Sequence, residues 1–430
     1  MIYQSPIRKL LEAYQGPDVG PDASSAKAAH RPGAATGERT SGLIAEFFTY
    51  SSTEAVEKTH QVSCELVGSF GDLHAEYAAI RTGAGIFDSP HRGTIQVTGP
   101  ERKDFLNRML TQELKDFSSG QARESFWLNR KGRIDADLLL MELGDHILLD
   151  VDITQLEQAI ETLNQFIILE DVKLEDATEK YHHIAIHGKQ AIAVIASASG
   201  DTQFTLENLQ TKTISINSIE VIIVRRDQTG EIGLELIVPR DDAATVYEAL
   251  IAEDNKSNKR VRPIGWFAFN TARIEAGTPL FNVDFAASNL PHETGVVNNR
   301  VSFTKGCYLG QEIVARIQSL GKPKRMLVGL RIKGDALPDA GAQVYKSDDE
   351  DSTIGVVTSS TISPMLGSAP IAFAHIAIVQ AEVGNTVIVE AESDKVAATV
   401  CDLMFYKGSA EQKQIDMQTS NQTPTGESKA

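Results

Sequence analysis

Apolar positions along the chain alternate between two periods, and the switches mark out its elements. Thr94-Ile95-Gln96-Val97-Thr98 alternates with period two and predicts a strand. Gly99-Pro100-Glu101 then opens a helix, with proline in the first turn and Phe105, Leu106, Met109 and Leu110 on one side. A strand over 146–151 leads into Asp152-Ile153-Thr154-Gln155, which reads as a capping-box start. The following helix carries Leu156, Ile160, Leu163 and Ile167 as one stripe. A second unit begins in the same way, with a strand over 183–186, a turn at Gly188 and an alanine-rich helix over 191–198. Strands over 214–225 and 231–238 and a helix over 241–252 follow. Two successive units that mix hairpins with helices predict an α+β fold rather than a doubly wound parallel sheet. After Lys322 the pattern becomes short β-like runs at 327–332, 353–357, 386–389 and 397–401, which predict a small barrel or sandwich.

The flanks differ from this body. Ile7, Leu10, Leu11 and Tyr14 form an amphipathic lead within 1–15, and 16–41 reads as a flexible insertion rich in Gly, Pro, Ala and Ser. The body is placed at 42–320, with a boundary between its two units near 180. The β domain is placed at 321–407 and a polar, disordered tail at 408–430.

Composition narrows the function classes. Of the 430 residues, 42% are hydrophobic and 23% charged, as in ordinary globular proteins. No apolar run reaches the roughly eighteen residues that a membrane helix needs, and the first residues lack the charged and apolar regions of a secretion signal. A cytoplasmic protein without membrane contact is expected. A formal net charge of −17 opposes broad binding to nucleic acid. Cys64, Cys307 and Cys401 are too scattered for a disulfide framework and too few to hold an iron–sulfur cluster alone. No histidine and acid spacing marks a metal site, and His182-His183 reads as a structural pair pointing to opposite sheet faces.

Two stretches carry candidate chemistry. In 302–316, Cys307 sits beside Lys305 between Gly306 and Gly310, with a helix expected to start near Gly310. A cation and a helix N-terminus would stabilise the thiolate, and Glu312 and Arg316 are spaced for a helical ion pair. The competing reading is a buried, inert cysteine. In 230–238, Leu234, Leu236 and Val238 share one strand face, leaving Glu235 on the other with Gly233 and Ile237. A buried carboxylate needs a partner, unless it faces water or pairs with Arg225 or Arg226.

Lys305-Gly306-Cys307-Tyr308-Leu309-Gly310-Gln311-Glu312 resembles the mark of YgfZ-type proteins, a branch of the glycine cleavage T-protein superfamily. The segments 76–88, 97–101, 128–134, 273–277 and 355–360 are similar to T-protein landmarks, so the likeness spans residues 75–405. It implies two interleaved α+β (ferredoxin-like) units around a central folate cavity, followed by a C-terminal β-barrel. It also implies tetrahydrofolate as cofactor and a role in iron–sulfur maturation, with the assembly machinery or recipient cluster enzymes as partners. The alternative it carries is a folate-dependent aminomethyltransferase or another one-carbon transferase. Carried over by residue, Glu235 would contact the pterin, with Gln311 and Arg273 as further cofactor contacts. Cys307, Lys305 and Asp137 would form the catalytic group. The basic residues Arg316, Lys322, Lys324, Arg325, Arg331 and Lys333 would guide a polyglutamate tail or an acidic partner, or form only a solvated face. Two departures bear on transfer chemistry. Ala136 stands where T-proteins carry the first of two aspartates, and Phe269 stands where they carry an arginine.

Overall fold

The alternation at Ile95 and Val97 forms the strand Arg92–Thr98, with both side chains fully buried. The computed structural model describes residues 2–14, 45–51, 62–254, 260–349 and 351–410. The expected insertion at 16–41 lies outside them, as does the expected tail beyond Ala410.

Two large sheets make the body, with a third of three strands, Ile2–Tyr3, Ser63–Ser69 and Glu46–Ser51. An antiparallel sheet of five strands runs Ala122–Leu128, Ile134–Glu142, Ile147–Asp152, Arg92–Thr98 and Lys173–Asp176. A six-stranded sheet runs Thr211–Ile216, Ile219–Arg225, Gly233–Pro239, Tyr181–His187, Ala84–Asp88 and Val261–Pro263. Ala84–Asp88 precedes the whole five-stranded sheet in the chain yet pairs with Tyr181–His187 beyond it, so the two units interleave. The lead forms the helix Arg8–Ala13, and Ile7 and Leu11 bury their side chains.

The segment 214–225 is a hairpin rather than one run. Asn217 and Ser218, at φ 51° and 68°, make the left-handed pair that a tight two-residue turn requires. The capping box at Asp152 does not form. Gln155 precedes the helix Leu156–Asn164 and makes no side-chain cap. Asp152 instead accepts from Thr154 N at 2.9 Å and from Tyr50 OH at 2.5 Å, which ties the strand end to a neighbouring sheet.

The C-terminal domain is a closed six-stranded barrel. Four of its strands follow the predicted runs. Gln343–Lys346 and Ala369–Ala377 complete it. The inward side chains Ala372, Ala374 and Ala398 are small, as a narrow barrel interior demands, while Phe373 packs outward near Phe405.

The helix Trp266–Glu275 joins body to barrel through Thr271, Arg273 and Glu275, which bond Thr361, Ser359 and Ser363. Glu275, fully buried, accepts from Tyr77 OH and Arg81 Nη2, both at 2.5 Å, and from Ser363 Oγ of the barrel. Glu275→Ala leaves Arg81 buried without its main counter-ion. The expected cost is about 3–5 kcal/mol, read as a lowered denaturant midpoint. A midpoint within error of wild type contradicts this linkage.

Candidate functional site

A cavity of about 530 Å³, counting its open mouth, is lined by side chains of both large sheets and of the helix Trp266–Glu275. Its floor follows from strand register. Phe87, Ala185 and Glu235 lie directly opposite one another across three neighbouring strands, and Gly85, His187 and Gly233 form the parallel row beside them. Between these rows, Ile86, Ile186 and Leu234 point to the other side of the sheet, into the apolar core. Packing of that core therefore turns Glu235 and His187 toward the cavity.

Glu235 is 7% exposed and accepts no hydrogen bond among the described residues. Burial, reinforced by the charge of Asp150, pushes its carboxyl up to about 7, although Arg226 and Arg92 pull the other way. Neither ring nitrogen of the fully buried His187 has a partner among the described residues.

One wall is aromatic. Phe87 and Phe269 stack with centroids 5.1 Å apart and planes 9° apart, and Trp266 lies 5.7 Å from Phe269. The opposite wall is charged and internally paired. Arg92 Nε donates to Asp150 at 2.7 Å, and Arg226 Nε donates to Glu124 at 2.8 Å. Arg300 donates to Asp137 at 2.8 Å and also bonds Glu124. Burial works against ionisation of Asp150 and Glu124, yet these guanidinium groups hold both carboxyls below their ordinary values.

The candidates from the sequence separate into two groups. Glu235 and Asp137 both line the cavity, together with Phe269. Cys307, Lys305, Gln311 and Arg273 are not among its lining residues. Cys307 is exposed, so neither a thiol at the pocket nor a buried, inert one describes it. Lys305 is buried and gives its ammonium to the carbonyls of Asn107, Leu110 and Gln112 at 2.6, 2.7 and 2.8 Å. Its cation thus serves to anchor the loop, and burial lowers it to about 8. Gln311 opens the helix Gln311–Leu320, which starts after Gly310 as expected. Arg273 is fully buried and bridges Asp284 at 2.6 Å to Ser359 of the barrel at 2.7 Å. Ala136 is buried in the same apolar cluster as Phe87 and Phe269. The six basic residues are exposed, and none forms an ion pair among the described residues. Sequence reasoning missed Tyr50, Arg226, His187 and Trp266 as cavity residues, because only the pairing of distant strands brings them together.

This architecture of interleaved α+β units, a cavity between them and a closed barrel has a known counterpart. The GCVT N-terminal domain matches residues 39–305, and the glycine cleavage T-protein C-terminal barrel domain matches 325–407. The chain belongs to the glycine cleavage T-protein family. An aminomethyltransferase of Chlorobium chlorochromatii is 31% identical over 342 residues, covering 78% of this chain and 90% of that protein. One of Listeria monocytogenes is 30% identical over 349 residues, covering 80% and 92%. The crystal structure of glycine cleavage system aminomethyltransferase T from Bartonella henselae superposes with a TM-score of 0.71 at 25% identity, covering 80% of this chain and 92% of that one.

The unpaired acid has a pH signature. In the folded protein Glu235 holds its proton up to about 7, against an ordinary value of 4.5, so stability falls as pH rises through that window. Glu235→Gln removes the charged form. The variant is expected to match wild type near pH 4 and exceed it by roughly 3 kcal/mol at pH 8, measured by denaturant unfolding across pH. A difference that does not change with pH contradicts the assignment.

Proposed function

We propose that the chain binds a reduced folate in this cavity and acts on the one-carbon group such a cofactor carries, in the manner of the aminomethyltransferases it resembles. Glu235 carries the reading. A buried carboxylate without a donor in its own walls calls for one from a ligand. A pterin ring offers adjacent N–H groups that a carboxylate accepts as two charge-assisted bonds. The Phe87–Phe269 stack provides a flat apolar surface alongside, suited to such a ring. Bound tetrahydrofolate would supply the nitrogen that bears the one-carbon group. Asp137, oriented by Arg300, would manage a proton there, while Asp152, the second aspartate of the lining, is held by Tyr50 and Thr154.

Calorimetric titration with tetrahydrofolate tests this directly. Wild type is expected to bind, and Glu235→Ala to bind at least roughly 30-fold more weakly, the cost of losing a charged partner for two donors. Equal affinities would remove Glu235 from the site.

A second reading, support of iron–sulfur protein maturation, is favoured by one observation. Cys307 is solvent-facing, on a loop that Lys305 pins to the body through three carbonyls, and it lies outside the cavity lining. A thiol so placed suits exchange with a partner protein, the assembly machinery or a recipient cluster enzyme, better than chemistry on the folate. Cys307→Ser is therefore expected to retain folate affinity and any aminomethyl transfer, while failing to restore cluster-enzyme activity in cells lacking the protein. Full restoration by this variant sinks the second reading and leaves the first intact.

A further inference from the structure

We propose that His187 is a ligand-binding, specificity-determining residue, reading the oxo edge of a fused 2-amino-4-oxo pyrimidine ring whose amino edge is held by Glu235. The proposal takes the class of ring from the folate reading and adds the residue that recognises its second polar edge.

Position is the first support. Ala185 faces Glu235, and His187 faces Gly233, on adjacent antiparallel strands, so His187 and Glu235 are diagonal neighbours on one sheet face. Such neighbours lie roughly 7–8 Å apart, within reach of two edges of one bicyclic ring. Between Phe87 and Glu235 the floor carries only the methyl of Ala185, which leaves the ring a place to lie. His187 is flanked across both neighbouring strands by glycine, Gly85 and Gly233. A Cβ at Gly233 would come within 3.0 Å of His187 Nδ1 and 2.2 Å of Arg226 O, so this position has no room for a side chain. The Phe269 ring closes the imidazole in from another side, with centroids 5.2 Å apart.

Hydrogen bonding is the second support. Buried imidazoles normally satisfy at least one nitrogen. The two other histidines of the same strand do so: His182 Nε2 lies 2.6 Å from Asp88 Oδ1, and His183 Nε2 lies 2.7 Å from Thr94 Oγ1. His187, equally buried, has neither nitrogen paired among the described residues, and it is the one of the three that lines the cavity. Burial, with Arg226 adding to it, lowers the imidazole to about 3, so it is neutral at working pH. A neutral ring offers one N–H and one lone pair. The N–H suits a ligand oxo group, while Glu235 takes the donors beside it.

Pterins and guanine share this aminopyrimidinone edge, so both serve as probes. Affinities of 5-formyltetrahydrofolate and guanosine would be measured by calorimetry on wild type, His187→Leu and His187→Gln, together with unfolding midpoints of the ligand-free proteins. His187→Leu is expected to weaken the ring ligand roughly 10- to 100-fold, His187→Gln to recover it to within about 3-fold, and neither midpoint to fall. A lowered midpoint with unchanged affinity would make His187 structural and overturn the proposal. Folate bound equally well by wild type and His187→Leu overturns it while leaving the folate reading standing. Guanosine bound in a His187-dependent way without folate binding supports it and defeats the folate reading. Binding of neither ring by wild type defeats both.

Discussion

The site depends on which way one strand faces. Leu234, Leu236 and Val238 are fully buried in the core behind the six-stranded sheet, and their burial commits Glu235 to the opposite side. Side chains alternate with period two, so a slip by one residue would drive the carboxylate into that core and swing a leucine into the cavity. The pairing with Tyr181–His187, continuous from Pro239 to Gly233, sets the register, and the same pairing brings Ala185 and His187 into place. Apolar packing on one face thus positions the chemistry on the other.

Electrostatics then distinguishes Glu235 from its neighbours. The cations around the cavity already have counter-ions: Arg92 holds Asp150, Arg226 holds Glu124, and Arg300 spans Glu124 and Asp137. Arg92 and Arg226 still act on Glu235 through space, but they donate no hydrogen bond to it, and the cost of burial outweighs their attraction. Asp150 and Glu124, equally buried, are held low because guanidinium N–H groups touch them. At Asp150 and Glu124 the attraction and donation of touching guanidinium groups together outweigh burial, whereas at Glu235 attraction through space alone does not. A ligand bringing donors would supply what the protein withholds from this one acid.

Much of the fold was legible in the sequence because core-facing residues repeat with the period of their element. Ile95 with Val97, Leu156 with Leu163, and Ile7 with Leu11 are all buried as their spacing required. Ala369–Ala377 was not legible, because a narrow barrel selects alanine where an open sheet would show valine or leucine. The hairpin at Asn217 was hidden by β-branched residues continuing on both sides of it. Glu235 could be read from alternation within a single strand. His187 could not, since its setting is two glycines on strands far apart in the chain. Lys305 and Cys307 misled for the opposite reason: they are close in sequence, yet the ammonium turns inward to backbone carbonyls while the thiol faces solvent.

The two departures from the T-protein pattern make sense together. Ala136 and Phe269 lie in one buried apolar cluster with Phe87. An unpaired charge in such surroundings would cost several kcal/mol, so an apolar residue at each position agrees with the packing around it. Phe269 lies flat on Phe87 and adds stacking surface to this wall. The cavity thus sets one unpaired carboxyl beside an aromatic wall. Three carboxyls line the cavity: Asp137 is bound to Arg300, Asp152 accepts from Tyr50 and Thr154, and Glu235 accepts no hydrogen bond among the described residues. These acids therefore differ in what holds them, and Glu235 alone of the three keeps its oxygens for whatever enters the cavity, as far as the described residues go.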